Sequence, residues 1–167
     1  MKDIPYTDAM AVAMQKLTHG GAFLSVAGPT PNTMTIGWAS IGFFWNRPVL
    51  MAVVRKSRHT LGLLEAAGVF TVSVPTKNPL KAELAFAGTA SGRDVDKFSG
   101  HGLTPARART VDAPIVAECA LHFECRVRLT QDMTPDRMDP DVLKTAYPRG
   151  DLHTMFFGEI LSCYETD

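Results

Sequence analysis

The cleanest pattern in the chain runs from Leu121 to Leu129. Leu121, Phe123, Cys125, Val127 and Leu129 alternate with His122, Glu124, Arg126 and Arg128, the period-two signature of a strand with one buried and one solvated face. On this reading His122 is a solvated histidine, and Cys119 and Cys125 are small core residues on the apolar face. Shorter apolar runs predict strands over Ala22 to Val26, Val49 to Val54, Val69 to Val74, Ile115 to Glu118 and about His153 to Tyr164. Thr33 to Phe44 reads as one β-like stretch containing two glycines, entered from the turn Gly28-Pro29-Thr30-Pro31-Asn32. Helical spacing of Met10, Met14 and Leu17, behind Thr7 or Asp8 as cap, predicts a first helix. Thr60 to Ala67, closed by Gly68, and Leu80 to Ala87, ended by Gly88, predict two more. Ser91 to Phe98 reads as a polar loop entering one helical turn, with Asp94 and Lys97 facing one side. Met133 to Gly150 carries three prolines and reads as a loop with one helical turn after Asp139.

Six or seven strands with few helices, and no regular β-α-β alternation, predict a mainly β fold: an antiparallel barrel with peripheral helices. No GxGxxG follows a strand, which disfavours a doubly wound dinucleotide-binding sheet. A chain of 167 residues suits one domain over residues 1–167.

Composition narrows the function classes. Lys+Arg and Asp+Glu are both 17, so the formal net charge is zero, and no global field draws the protein to nucleic acid or an anionic membrane. A charged share of 20%, slightly low, fits burial of some surface against a second subunit. Three cysteines are too few, and odd in number, for a disulfide framework, and none has zinc-site spacing, so no metal is predicted. The N-terminus has no apolar signal core and no apolar run reaches membrane-spanning length, so the expected location is cytoplasmic.

Three segments carry candidate chemistry. Arg55-Lys56-Ser57-Arg58-His59-Thr60 joins an apolar strand to a helix, placing three fixed positive charges and two hydroxyls at one corner. A helix N-terminus already presents unpaired N–H groups and a positive dipole end, so this corner suits a phosphate; the alternative is a solvated basic loop with Ser57 or Thr60 as N-cap. In Asn32 to Ser40, Gly37 and Ala39 let a flat ring approach the backbone; the alternative is an irregular strand with Met34 and Trp38 in the core. Ser91-Gly92-Arg93-Asp94-Val95-Asp96-Lys97 is the third polar cluster, alternatively a capped surface turn with an internal ion pair. No Ser/His/Asp arrangement or carboxylate pair stands out, so no catalytic side chain is assigned.

Taken in order along the chain, these segments resemble the flavin reductase-like family, whose best-known branch includes the flavoredoxins. His153 with Gly158-Glu159-Ile160 looks like that family's closing strand. The resemblance implies an FMN-binding split β-barrel of antiparallel Greek-key type, normally a homodimer with flavin near the subunit interface. It implies that Arg55, Ser57, Arg58 and Thr60 hold the FMN phosphate. Asn32, Met34, Thr35, Gly37, Trp38 and Ser40 then border the isoalloxazine ring, and Ser91, Gly92 and Lys97 close the site. His153 either approaches the flavin or bonds backbone. The implied activity is that of an FMN-dependent oxidoreductase. It is either a reductase using NADH or NADPH, or a flavoredoxin-like carrier serving a small-molecule or redox-protein partner. The alternative is a non-catalytic split-barrel module binding a phosphorylated ligand or heme.

Overall fold

The computed structural model describes residues 1–166, which form ten strands and four α-helices. The first half contains β1 (Lys2–Asp3), α1 (Tyr6–His19), β2 (Ala22–Val26), β3 (Asn32–Ile36), β4 (Ala39–Phe44), β5 (Arg47–Arg55) and α2 (Thr60–Ala67). The second contains β6 (Val69–Val74), α3 (Lys81–Thr89), β7 (Pro105–Arg107), β8 (Pro114–Val116), β9 (Leu121–Asp132), α4 (Pro140–Ala146) and β10 (His153–Glu165).

Seven strands form one antiparallel path in the order β3-β2-β6-β9-β10-β5-β4, and β1 pairs with β10 beyond the end of β5. The two ends of this path, β3 and β4, are consecutive in the chain and separated only by Gly37 and Trp38. The sheet therefore curls until its ends meet without pairing. That is a split barrel, as the strand count and the resemblance lead one to expect. Its interior is filled by Leu24, Val26, Leu50, Val54, Phe70, Val72, Phe123 and Phe156, and α1 covers it with Ala9, Ala13 and Leu17. A second apolar cluster packs Leu84 and Ala87 of α3 against Phe23, Val116 and Cys119.

Four local expectations change. Thr33 to Phe44 is two strands, because the chain must cross the seam at Gly37-Trp38 before β4 can pair with β5. α1 starts at Tyr6 with Pro5 as N-cap, so neither Thr7 nor Asp8 caps it. Cys119 lies in the turn before β9 and in a different cluster from Cys125; all three cysteines are buried and free. The expected solvated face of β9 is buried at its first half, His122 and Glu124 included.

The β7–β8 hairpin and the loop joining its strands cover that face and bring partners to it. His122 bonds Ser73 Oγ at 3.0 Å and Thr166 Oγ1 at 3.3 Å, and burial pushes its pKa down to about 4. Glu124 accepts from the N–H groups of Arg109 and Thr110, the Thr110 hydroxyl and the Tyr164 phenol. Burial alone would raise this carboxyl, but those donors hold it below the usual range. Alternation in sequence reports polarity, and polarity here means satisfied hydrogen bonds rather than water. Among the described residues no helix is long and apolar enough to cross a membrane.

Gly158 marks the tightest approach in the barrel. It follows a register shift in the β9–β10 ladder, and a Cβ there would stand 2.6 Å from the Phe70 ring and 2.8 Å from Cys125 Cβ. Gly158→Ala is expected to destabilise the fold by about 1–3 kcal/mol through overpacking, read as a lower urea midpoint. An unchanged midpoint would show that β10 can move away from β6.

Candidate functional site

The seam of the barrel is also where a cavity opens. About 240 Å³ in volume, it is lined by Met34, Thr35, Gly37 and Trp38 from the two strand ends, by Val53 and Arg55 from β5, and by Arg58, Gly88 and His153. An unpaired strand edge leaves N–H and C=O groups without ladder partners, so the wall offers backbone donors and acceptors to a planar ligand. A Cβ on Gly37 would meet no atom within 4 Å, which leaves the approach to that backbone clear. Trp38, 49% exposed, stands with its ring centroid 5.1 Å from that of His153.

Arg58 connects this cavity to a second one. The neighbouring hollow, about 160 Å³, is lined by Ser57, Arg58, His59, Thr60, Ser91, Gly92, Arg93 and Lys97. Arg58 donates from Nη1 to Gly88 O at 2.6 Å and from Nη2 to Ala87 O at 3.1 Å. Lys97 Nζ donates to the same Ala87 O at 2.9 Å. Both cations thus sit on the final carbonyls of α3, groups with no partner inside their helix and at its negative end. A guanidinium has five N–H donors and an ammonium three, so most remain free. Among the described residues no carboxylate forms an ion pair with either. Lys97 is only 2% exposed; burial, then the charge of Arg58, push its pKa down to about 8.

Neighbouring contacts hold the corner in shape. Asn32 Nδ2 donates to Thr60 Oγ1 at 2.8 Å, tying β3 to the first turn of α2. A Cβ on Gly92 would fall 2.2 Å from Asn32 Oδ1 and 2.9 Å from His59 Cδ2, so only glycine lets the loop from Ser91 to Lys97 come this close. Asp151 accepts from Ser57 N–H at 3.2 Å and from the Ser57 hydroxyl at 2.6 Å. The carboxylate of the β9–β10 connection therefore already occupies two of the corner's donors.

The residues expected from sequence divide accordingly. Met34, Thr35, Gly37 and Trp38 line the seam cavity; Ser57, Thr60, Ser91, Gly92 and Lys97 line the corner; Arg58 faces both. Arg55 lies on the seam side, not in the corner. Its guanidinium donates to Asp151 O and Ala146 O and lies 5.3 Å over the Tyr147 ring and 5.9 Å over Trp38. Lys56 turns away to pair with Asp132 at 2.8 Å, leaving Arg58 as the one arginine or lysine of that hexapeptide in the corner. Ser40 is exposed on β4 opposite Met51, outside both cavities. Asn32 braces Thr60 rather than bordering the seam cavity. Neither Ser57 nor Thr60 caps α2, whose N-cap is His59, and Lys97 points to α3 instead of pairing with Asp94. Sequence reading missed the α3 carbonyls, Tyr147 and Asp151. They arrive through chain reversals of about 30 and 90 residues, and no local pattern marks them. Among the described residues no group of three His, Cys, Asp or Glu side chains is placed to hold a metal.

A split barrel with a cationic corner beside a ring-sized cavity at its seam defines the class. The chain belongs to the flavin reductase-like family: that family's profile, the flavin reductase like domain, matches residues 14–167. An uncharacterized protein of Archaeoglobus fulgidus is 33% identical over 140 residues, covering 83% of this chain and 68% of the relative. The uncharacterized Escherichia coli protein YddH is 32% identical over 120 residues, 69% of this chain and 62% of its own length. Among solved structures, the flavoredoxin of Desulfovibrio vulgaris superposes with a TM-score of 0.69 at 26% identity, covering 89% of this chain and 70% of that one.

The Lys97 environment has a measurable signature. Its folded pKa, about 8, lies below the ordinary 10.5, so between those values the unfolded chain binds the extra proton and stability rises with pH. The urea midpoint of the ligand-free protein is expected to gain more between about pH 7.5 and pH 9.5 than that of Lys97→Met. Equal gains would show that Lys97 is solvated.

Proposed function

We propose that the chain binds FMN across the two cavities and acts as an oxidoreductase taking hydride from NADH or NADPH. The observation that carries this reading is Arg58, which stands between a planar-ligand cavity and a cationic corner. The residues present fit the group: two cations with spare donors and no carboxylate partner face the corner, and the missing side chain at Gly37 leaves the seam open. Arg58 and Lys97, with Ser57 and Thr60, hold the phosphate; Ser57 joins by exchanging its bonds to Asp151. The backbone from Met34 to Trp38 faces the ring, and Arg55 supports its wall through Trp38. When bound, the flavin supplies hydride acceptance and onward electron transfer, so no acid–base pair is demanded of the protein. The protein's part is to bind, orient and exclude water from one face of the ring.

Family membership and the flavoredoxin likeness support this reading. A homodimer is part of it, supported by Phe43, Phe44 and Trp45 at the β4–β5 turn, which are 59%, 51% and 53% exposed. Apolar side chains grouped this way on a surface mark contact with another molecule. Sedimentation at twice the chain mass is expected.

Purified protein reconstituted with FMN should show flavin absorbance near one equivalent per chain, and the bound flavin should bleach on NADH or NADPH. A flavin reduced by a redox protein but by neither nicotinamide would select the carrier role, and a colourless protein that refuses FMN would end the proposal. Arg58→Ala should weaken FMN about ten- to a hundredfold and riboflavin much less, because a charge-assisted contact to the phosphate contributes roughly 1.5–3 kcal/mol. Arg55→Ala should weaken both ligands alike, since its guanidinium lies against Trp38 and Tyr147. Fluorescence titration separates the two variants.

A further inference from the structure

The connection between β9 and β10 returns Tyr147 to the seam, where it is 6% exposed. Its phenol oxygen lies 2.8 Å from His153 Nδ1 and 3.2 Å from Met133 Sδ. A phenol has one proton, and here it has two acceptors to choose from. An imidazole nitrogen is a far stronger acceptor than a thioether. The shorter contact and the stronger acceptor favour the proton on the Nδ1 side, and a neutral imidazole so engaged carries its own proton on Nε2. Nε2 has no hydrogen-bond partner among the described residues, and His153 lines the seam cavity. Burial, then the charge of Arg55, push the His153 pKa down to about 4, against a smaller opposing pull from Asp151. The ring is thus uncharged at neutral pH. Both rings are pinned: Arg55 lies over Tyr147, and Trp38 stands 6.1 Å from Tyr147 and 5.1 Å from His153 between centroids.

We propose that Tyr147 is a positioning residue: it fixes His153 as the Nε2–H tautomer, so that a neutral N–H donor faces the seam cavity and hydrogen-bonds a carbonyl oxygen of the ligand held there. The identity of that ligand rests on the flavin reading above. An imidazolium would put a second positive charge beside Arg55, whereas a neutral donor meets a carbonyl without one. The carbonyl belongs either to the flavin's pyrimidine edge or to the carboxamide of a nicotinamide, and the chemistry required of His153 is the same for both.

Nitrogen-15 NMR of histidine-labelled, ligand-free protein reads the tautomer directly. His153 is expected to carry its proton on Nε2. Tyr147→Phe should weaken that preference to the modest one of a free imidazole, with the Nδ1–H form appearing, and Met133→Leu, which deletes only the weaker acceptor, should leave it intact. A wild-type Nδ1–H tautomer, a switch in Met133→Leu, or an unchanged preference in Tyr147→Phe would each overturn the proposal. In the loaded protein, a flavin carbonyl as partner predicts a riboflavin affinity about fivefold weaker in His153→Phe, the loss of one neutral hydrogen bond. A nicotinamide carboxamide as partner predicts unchanged riboflavin affinity and a raised KM for the nicotinamide. If neither moves, the donor has no ligand role and that part of the proposal is wrong. A wild-type protein with the Nε2–H signature but no affinity for riboflavin or FMN would refute the flavin reading alone, leaving the tyrosine–histidine wiring standing.

Discussion

Two cations share the end of one helix, and the candidate site depends on that arrangement. Arg58 reaches the carbonyls of Ala87 and Gly88, and Lys97 that of Ala87, which joins the β5–α2 corner, α3 and the loop after it. Neutral carbonyls satisfy hydrogen bonds without cancelling charge. A carboxylate in the same place would have held the elements together equally well and left the corner electrically spent. The helix gains too, because its last carbonyls receive donors that its own backbone cannot supply. Stability and a surplus of positive potential thus come from the same contacts. The cost appears on Lys97, whose ammonium is easier to deprotonate than a solvated one.

The barrel's closure decides where the rest of the site falls. Because β3 and β4 end the strand path yet follow each other in the chain, the seam between them must lie at Gly37-Trp38. α3 packs beside β3, where Thr35 Oγ1 donates to Leu84 O at 2.6 Å, and this places the helix's C-terminal carbonyls near the seam. The seam cavity and the cationic corner are therefore neighbours for a topological reason, with Arg58 lining both.

Much of this was legible locally. The apolar runs located β2, β5, β6 and β10, Gly20 and Gly68 located the ends of α1 and α2 although α3 runs past Gly88 to Thr89, and the resemblance grouped three separate segments around one site. What failed was everything set by a distant partner. Arg55 and Arg58 look alike in sequence, and only the carbonyls of Asp151 and Gly88 decide that Arg55 stays at the seam while Arg58 also lines the corner. His122 reads as a surface residue until the β7–β8 hairpin is folded over it. Asn32 reads as a ligand contact until Thr60 is found within hydrogen-bond distance. Tyr147 sits in a proline-rich stretch with no periodicity, so nothing local marks it as a neighbour of His153.

Asp151 ties the cationic corner to the seam wall. Its carboxylate takes the Ser57 hydroxyl and N–H, and its charge partly offsets the burial that pushes the pKa of both Arg58 and His153 down. Its own carbonyl meanwhile accepts from Arg55. One residue of the β9–β10 connection therefore touches the corner through its side chain and the seam wall through its backbone. The support of the corner and the support of the seam wall therefore meet in one residue, so a change at Asp151 is felt in both cavities.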